Sequence, residues 1–377
     1  MTRHRRQLAV VAVSVVAVAA IGAAVIAVRG GDHEQVRTGG STTTTTTTTT
    51  VAPPPLARLR SLGTLAASGS FVLEADDALP AAFFLYDTTE AEPRGQRLDA
   101  PAELFPVDMA ATDDGFLVVG TDCREAELGD EEPQCTPGTT VAFLYSLSTG
   151  RWTTLAEGLG ERGDAAEALV TPEGRLFVWL ERVDQSALYE LHADDPPSAV
   201  PAPPFGSSGG LSPDAVMCPI DGGLLFLENP GEQVEGTSVA ASTYDPSARR
   251  WTTPSLAPSV PNDGLIYLTN SCGDHGAVAM APARTIGWFD GAWKVTESTP
   301  FEGREERTRR VVSEGHPAVW TDGWLWTYDE AAGTWNRSRE IPSVPGLRAA
   351  VQVGDGWAVL RDPDRAGATP SFELIGR

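Results

Sequence analysis

Lysine is nearly absent from this sequence: of 28 lysines and arginines, only Lys294 is a lysine. Basic charge is scarce altogether, with 51 acidic residues giving a net charge of −23. That balance excludes a nucleic-acid binder, which needs concentrated cations against phosphate, and it argues against docking on anionic head groups. Histidine is also sparse. Beyond the N-terminus there are only His192, His275 and His316, with no metal-ligand spacing and no i, i+4 pair, so they read as isolated surface or turn residues. No phosphate-cradling glycine loop leads into a lysine. The sequence therefore assigns no catalytic residue, no metal ligand and no cofactor, and it leaves the ligand-binding residues open.

What is present begins with an apolar run, Leu8 to Val28. Its 21 residues, at about 1.5 Å each, match a hydrocarbon core of roughly 30 Å. Arg3, Arg5 and Arg6 precede it and Arg29 follows, so the positive-inside bias places residues 1–7 in the cytoplasm and the remainder outside. The expectation is a transmembrane helix over 8–28. A cleaved signal is the alternative, since Ala17-Val18-Ala19 has small residues suited to a cleavage site; the chain would then be secreted. No cysteine near the end of the run suggests a lipoprotein.

Residues 29–55 contain glycines, Ser41, nine threonines from Thr42 to Thr50, and Pro53-Pro54-Pro55. A stretch so poor in apolar side chains cannot form a core and reads as a disordered spacer. Residues 56–377 are long enough for one domain with a large core. Five arginines but only two acids lie before residue 38. This leaves 23 basic against 49 acidic residues beyond it, a net −26.

Within 56–377 a unit recurs every 39 to 59 residues, a period typical of propellers and solenoids. A glycine-bearing turn precedes an apolar strand-like run at Gly69, Gly115, Gly174, Gly223, Gly276, Gly315 and Gly356. Downstream of each turn an aromatic residue ends another apolar run: Tyr86, Tyr145, Tyr189, Tyr244, Phe289, Tyr328 and Phe372. A tryptophan follows seven residues later at Trp152, Trp251 and Trp335, and Phe289 to Trp293 looks like a shortened version. Turn formers separate the two, as in Tyr244-Asp245-Pro246-Ser247. Four antiparallel strands per unit make one blade. The expected fold is all-β, a propeller of seven four-stranded blades, with six or eight as alternatives and a two-sheet sandwich as the competing architecture. Tyr145, Trp152, Tyr244, Trp251, Trp293, Tyr328 and Trp335 are then wedges packing blade on blade.

Asp221-Gly222-Gly223-Leu224-Leu225-Phe226, followed by Tyr244 and Trp251, resembles the kelch repeat, the propeller type also found in galactose oxidase. The oxidase's Tyr, His and modified Cys set is not reproduced. The bias to Ala, Gly, Pro and Arg, with the threonine stalk, resembles envelope proteins of actinobacteria. After Phe372 too few residues remain for a fourth strand, so residues near Leu56 to Leu62 are expected to supply it and close the ring.

Four cysteines in an exported domain suit disulfides. Three pairings exist, and two bonds look natural. Cys123 and Cys135 flank the acidic segment Arg124 to Gln134, while Cys218 and Cys272 precede the hairpin glycines of successive units, which places them on matching strands of adjacent blades. The acidic runs Asp113-Asp114, Asp130-Glu131-Glu132 and Asp194-Asp195 lack a calcium-loop spacing and read as solvated loops. Together these features point to a tethered propeller that binds an envelope protein or glycan, with the long loops Arg124 to Gln134 and Asn229 to Ser238 giving specificity. A hydrolase with carboxylates at the central channel is the alternative, and a sensor ectodomain a third.

Overall fold

The computed structural model describes residues 64–75, 81–101, 104–122, 138–160, 165–181, 186–204, 215–228, 239–258, 269–281, 284–296, 309–311, 313, 315–342, 346–361 and 371–376. Residues 8–28, the 29–55 stretch, Leu56 to Leu62, Cys123, Cys135 and the loop Asn229 to Ser238 lie outside them. Among the described residues no helix is long and apolar enough to cross a membrane.

Seven antiparallel sheets follow one another along the chain. Blade 1 comprises Thr64–Ser68, Phe71–Ala75, Phe83–Asp87 and Gln96–Leu98; blade 2 comprises Leu104–Thr112, Gly115–Asp122, Thr140–Ser146 and Arg151–Leu159. Blade 3 is built from Ala165–Val170, Leu176–Glu181, Ala187–Leu191 and Ser198–Val200. Blade 4 has Val216–Ile220, Gly223–Glu228 and Ala240–Asp245, and its outer edge is Arg250–Trp251 and then Ser255–Leu256. Blade 5 holds Thr269–Gly273, Gly276–Ala281, Arg284–Phe289 and Ala292–Thr296; blade 6 holds Arg309–Arg310, Ala318–Thr321, Trp324–Asp329 and Thr334–Glu340. Blade 7 shows Leu347–Val353, Gly356–Arg361 and Ser371–Ile375, three strands among the described residues. The fold is a seven-bladed β-propeller.

The broken outer edge of blade 4 has a local cause. Arg250–Trp251 and Ser255–Leu256 both pair with Ala240–Asp245, and Pro254 between them has no N–H to give the ladder. The two pieces are one interrupted fourth strand.

First strands lie innermost, each beside that of a neighbouring blade. Thr64–Ser68 lies against both Leu104–Thr112 and Leu347–Val353, which closes the ring. Apolar clusters fill the seams between blades. Leu73, Phe83, Phe116 and Phe143 pack between blades 1 and 2. Phe177, Trp179, Phe226 and Tyr244 pack between blades 3 and 4, and Leu225, Leu227, Ile286 and Trp288 between blades 4 and 5. Truncating any one of these fully buried rings to alanine costs about 3–5 kcal/mol, so the seams carry the stability of the ring. At the last seam Leu65, Val72 and Tyr86 meet Ala358, Leu360 and Phe372.

The recurrent glycine has a steric cause in the central blades. A Cβ at Gly115 would stand 1.8 Å from the Tyr145 carbonyl oxygen, and one at Gly223 would stand 1.9 Å from that of Tyr244. The backbone of the third strand passes too close for any side chain there.

All seven recurrent aromatics fall on third strands. Tyr145 lies opposite Trp152, Tyr244 opposite Trp251 and Tyr328 opposite Trp335. In the shortened unit the pairing shifts: Trp293 lies opposite Trp288, while Phe289 faces Ala292. The turn here is the two-residue Asp290-Gly291, with φ of 50° and 80°, which shortens the loop and moves the register. Three of the indoles also reach the preceding blade. Trp251 Nε1 donates to the Pro201 carbonyl at 2.7 Å, Trp293 Nε1 to Ser255 Oγ at 3.1 Å, and Trp335 Nε1 to Thr285 Oγ1 at 2.8 Å. Trp152 instead sets its ring against Phe83 of blade 1, with centroids 5.2 Å apart.

Cys218 and Cys272 form a disulfide with Cα atoms 5.5 Å apart, joining the first strands of blades 4 and 5.

Candidate functional site

In an antiparallel meander the turns between strands one and two, and between three and four, emerge at the same end of every blade. At that end neighbouring turns are hydrogen-bonded in series. Glu173 Oε1 accepts the Gly222 N–H at 2.6 Å, the Asp221 N–H donates to the Asp274 carbonyl at 2.6 Å, and the Asp274 N–H donates to that of Gly315 at 3.0 Å. The chain of bonds ties blades 3 to 6 into one platform. Partial burial pushes the Glu173 carboxyl upward, but the N–H groups of Gly222 and of Glu173 itself, with Thr171 and Arg175, more than offset it and hold the group below its ordinary value.

Many acids at this end are structural. Asp114 Oδ2 accepts the hydroxyls of Ser148 and Ser146, at 2.6 and 2.8 Å, which braces the two turns of blade 2 and holds its carboxyl below the usual value. Asp245 Oδ1 accepts the N–H groups of Ser247 and Ala248, and Asp329 Oδ1 accepts that of Ala332. These are Asx turns, in which the side chain closes the loop between strands three and four.

Two clefts open on the platform. One, of about 340 Å³, lies between blades 4 and 5, with Tyr244 and Trp288 in its wall and Asp221, His275 and Asp290 at its rim. The second, of about 610 Å³, lies between blades 5 and 6, lined by Phe289, Tyr328, Lys294, Asp290, His316 and Glu330 among others. Asp290 belongs to both. The tight Asp290-Gly291 turn puts that carboxylate on the wall the clefts share.

The two histidines here each face a carboxylate. His275 Nδ1 is 3.0 Å from Asp221 Oδ2, both about half exposed, and His316 Nδ1 is 3.6 Å from Glu330 Oε1. The Glu330 side chain is only 13% exposed, and its Oε1 is buried without a hydrogen bond. Lys294 Nζ donates to the Glu330 backbone carbonyl and lies 5.7 Å from the centre of the Phe289 ring. Phe289 and Tyr328 are stacked with centroids 5.6 Å apart and 10° between planes. The Tyr328 hydroxyl pairs with Thr296 Oγ1, and burial raises its pKa.

At the centre of the ring, the carboxylates on the described first strands are Asp108 and Glu167. Asp108 Oδ2 accepts the Ala168 N–H at 2.9 Å, so this carboxylate bridges blades 2 and 3. No three His, Cys, Asp or Glu side chains among the described residues converge as a metal would require.

The sequence reading missed both clefts, which open at the end that carries the turns between strands one and two and between strands three and four. Lys294 stood out by its rarity, but that was read as compositional bias. Asp290, Glu330 and His316 carry no local motif and meet only because blades 5 and 6 are neighbours.

No family model and no curated protein matches the chain. Among solved structures it is similar to that of YjhT, at 11% identity, covering 85% of this chain and 95% of that one, with a TM-score of 0.44. It is also similar to Saccharomyces cerevisiae Sqt1, at 10% identity, 84% and 86% coverage and a TM-score of 0.47. A third is an ulvan lyase of polysaccharide lyase family PL25, at 9% identity, 85% and 93% coverage and a TM-score of 0.47. None of these likenesses bears on activity, and the propeller assignment rests on the seven sheets.

Proposed function

We propose that the chain is a membrane-anchored, extracytoplasmic binding propeller that holds an envelope protein or glycan on its platform of turns. The observation that carries this reading is the pair of adjoining clefts, with aromatic walls and carboxylate rims, on a platform stiffened by turn-to-turn hydrogen bonds. A rigid scaffold presenting concave, partly apolar sites with a few fixed polar groups is what specific docking needs. The anchor is the apolar run 8–28, with residues 29–55 as spacer. The Cys218–Cys272 disulfide supports export, because such bonds persist in oxidising compartments.

The test uses the full chain in its native membrane. A photo-crosslinking residue in place of Ala331, at the larger cleft, is expected to trap a partner; the same residue in place of Asp322, at the other end of blade 6, is expected to trap none. Equal trapping at both positions, or none at either, refutes the platform as the docking face. Alkaline carbonate is expected to leave the chain in the membrane pellet, and its release would refute the anchor.

A further inference from the structure

We infer that the Cys218–Cys272 disulfide is a redox-sensitive latch for the smaller cleft: oxidised, it holds the turns of blades 4 and 5 together across their seam, and reduced by a dithiol it lets them part. The two cysteines lie on the innermost strands Val216–Ile220 and Thr269–Gly273. Each stands three residues before a residue of the cleft rim, Cys218 before Asp221 and Cys272 before His275. A strand advances about 3.3 Å per residue, so the bond sits only about 10 Å from that rim. The rim contacts cross the same seam. The Asp221 N–H donates to the Asp274 carbonyl at 2.6 Å, and Asp221 Oδ2 is 3.0 Å from His275 Nδ1. Asp290 follows the same turn, since its N–H donates to the His275 carbonyl at 3.2 Å. The positions of all three rim side chains thus depend on how the two first strands are held.

Blades 4 and 5 are separate sheets, so among the described residues no ladder ties these first strands to each other. Successive side chains of a strand point to opposite faces, and Thr269–Gly273 is gripped from both sides. Cys272 reaches blade 4, while its neighbour Ser271 reaches blade 6, its hydroxyl donating to the Ala318 carbonyl at 2.8 Å and accepting the Ala318 N–H at 2.7 Å. The grip on blade 6 is indifferent to a reductant; the grip on blade 4 is not. Cys218, Cys272 and Trp288 belong to one apolar cluster, and Trp288 is also a wall of the cleft, so the wall shares the packing of the bond. Cys218 is fully buried and Cys272 half-buried, which directs attack to Cys272. A thiolate of the dithiol bonds to Cys272 Sγ as the S–S bond breaks, and Cys218 Sγ leaves with the electron pair and takes a proton. The second thiolate of the dithiol then displaces Cys272 Sγ, which takes a proton in turn, and the dithiol ends as its own disulfide.

The experiment follows residue-resolved amide hydrogen exchange in the full chain in nanodiscs, oxidised and after dithiothreitol. Reduction is expected to speed exchange of the Asp221 amide by at least about tenfold. The Gly333 amide, which donates to the Asp329 carbonyl at 2.8 Å within a turn of blade 6, is expected to keep its rate. Cys218→Ala with Cys272→Ala is expected to exchange at Asp221 like the reduced protein, and dithiothreitol to add nothing there. An unchanged Asp221 rate after reduction overturns the latch. Equal acceleration at Gly333 overturns it too, because the effect would then be general loosening, and so does a double variant that exchanges like the oxidised protein. If the double variant does not fold, the rates of the reduced wild type decide alone. Neither rate depends on what the platform binds: a missing Ala331 crosslink with the Asp221 response intact strikes at the docking face, and a trapped partner with an unchanged Asp221 rate strikes only at the latch.

Discussion

Tyr86 sits where the last blade meets the first, and one oxygen atom tests how the ring is closed there. The residue is 4% exposed. Its ring lies on Phe372 of blade 7, with centroids 4.1 Å apart and 8° between planes, and its hydroxyl donates to Glu74 Oε2 at 2.6 Å. Tyr86→Phe keeps the stacked ring and deletes only that donor. A hydrogen bond to a charged acceptor contributes about 1.5–3 kcal/mol, and Glu74, itself 7% exposed, loses it without gaining water. Urea unfolding at neutral pH should therefore show a lower midpoint at unchanged slope, equivalent to about 2 kcal/mol. The pH dependence gives a second reading. Burial, then the charge of Glu74, then the hydrogen bond to it drive the Tyr86 hydroxyl far above the ordinary tyrosine value. A folded-state pKa raised in this way contributes stability that is complete below the unfolded value and fades as pH rises toward the folded one. The gap between wild type and Tyr86→Phe should narrow above about pH 10. Tyr145, Tyr244 and Tyr328 are also raised by burial, so the difference between the two proteins, not the slope of either, is the readout. An unaltered midpoint at neutral pH, or a gap that stays constant in alkali, refutes this account of the seam.

Two more outcomes follow from buried groups elsewhere. The Cys218–Cys272 bond spans a sequence separation of 54, and loop-closure entropy assigns such a crosslink about 4 kcal/mol; Cys218→Ala with Cys272→Ala should lower the urea midpoint by that equivalent, and an unchanged midpoint would contradict it. Glu228 is 5% exposed, and burial raises its pKa. Its contribution is fully present below the unfolded value and is lost as pH rises through the folded one. Glu228→Gln should accordingly stabilise the protein at neutral pH and have little effect near pH 4, as thermal unfolding at the two pH values would show.

The blades were readable because their constraint is local and repeats. A third strand, an Asx turn and a fourth strand of fixed length put Tyr244 opposite Trp251 and Tyr328 opposite Trp335, so seven residues of spacing carry three-dimensional information. Where the turn shortens, as at Asp290-Gly291, the spacing shortens too and the pairing shifts by one residue, so that Trp293 lies opposite Trp288. Cys218 and Cys272 were legible for a related reason, since both lie shortly before the hairpin glycine of successive units and so fall on the first strands of adjacent blades. The interrupted edge of blade 4 was not, because Pro254 breaks a ladder only once its neighbour strand is known. Nor was the larger cleft: Lys294 and Glu330 are 36 residues apart, and only the stacking of blade 6 on blade 5 brings the ammonium to the Glu330 carbonyl.

That contrast separates architecture from function on the platform itself. Three of the four aspartates that follow third-strand aromatics close their own turns: Asp87 bonds Thr89, Asp245 bonds Ser247 and Ala248, and Asp329 bonds Ala332. Changing one of them disturbs a turn before it disturbs any guest. Residues that the repeat does not require behave differently. Neither turn closure nor seam packing calls for a lysine beside Phe289 or for the largely buried Glu330 carboxylate beside His316. A repeat protein keeps its regular positions for holding the blades together, so departures from the repeat that cluster in space are where recognition has room to act. In this ring they gather between blades 5 and 6.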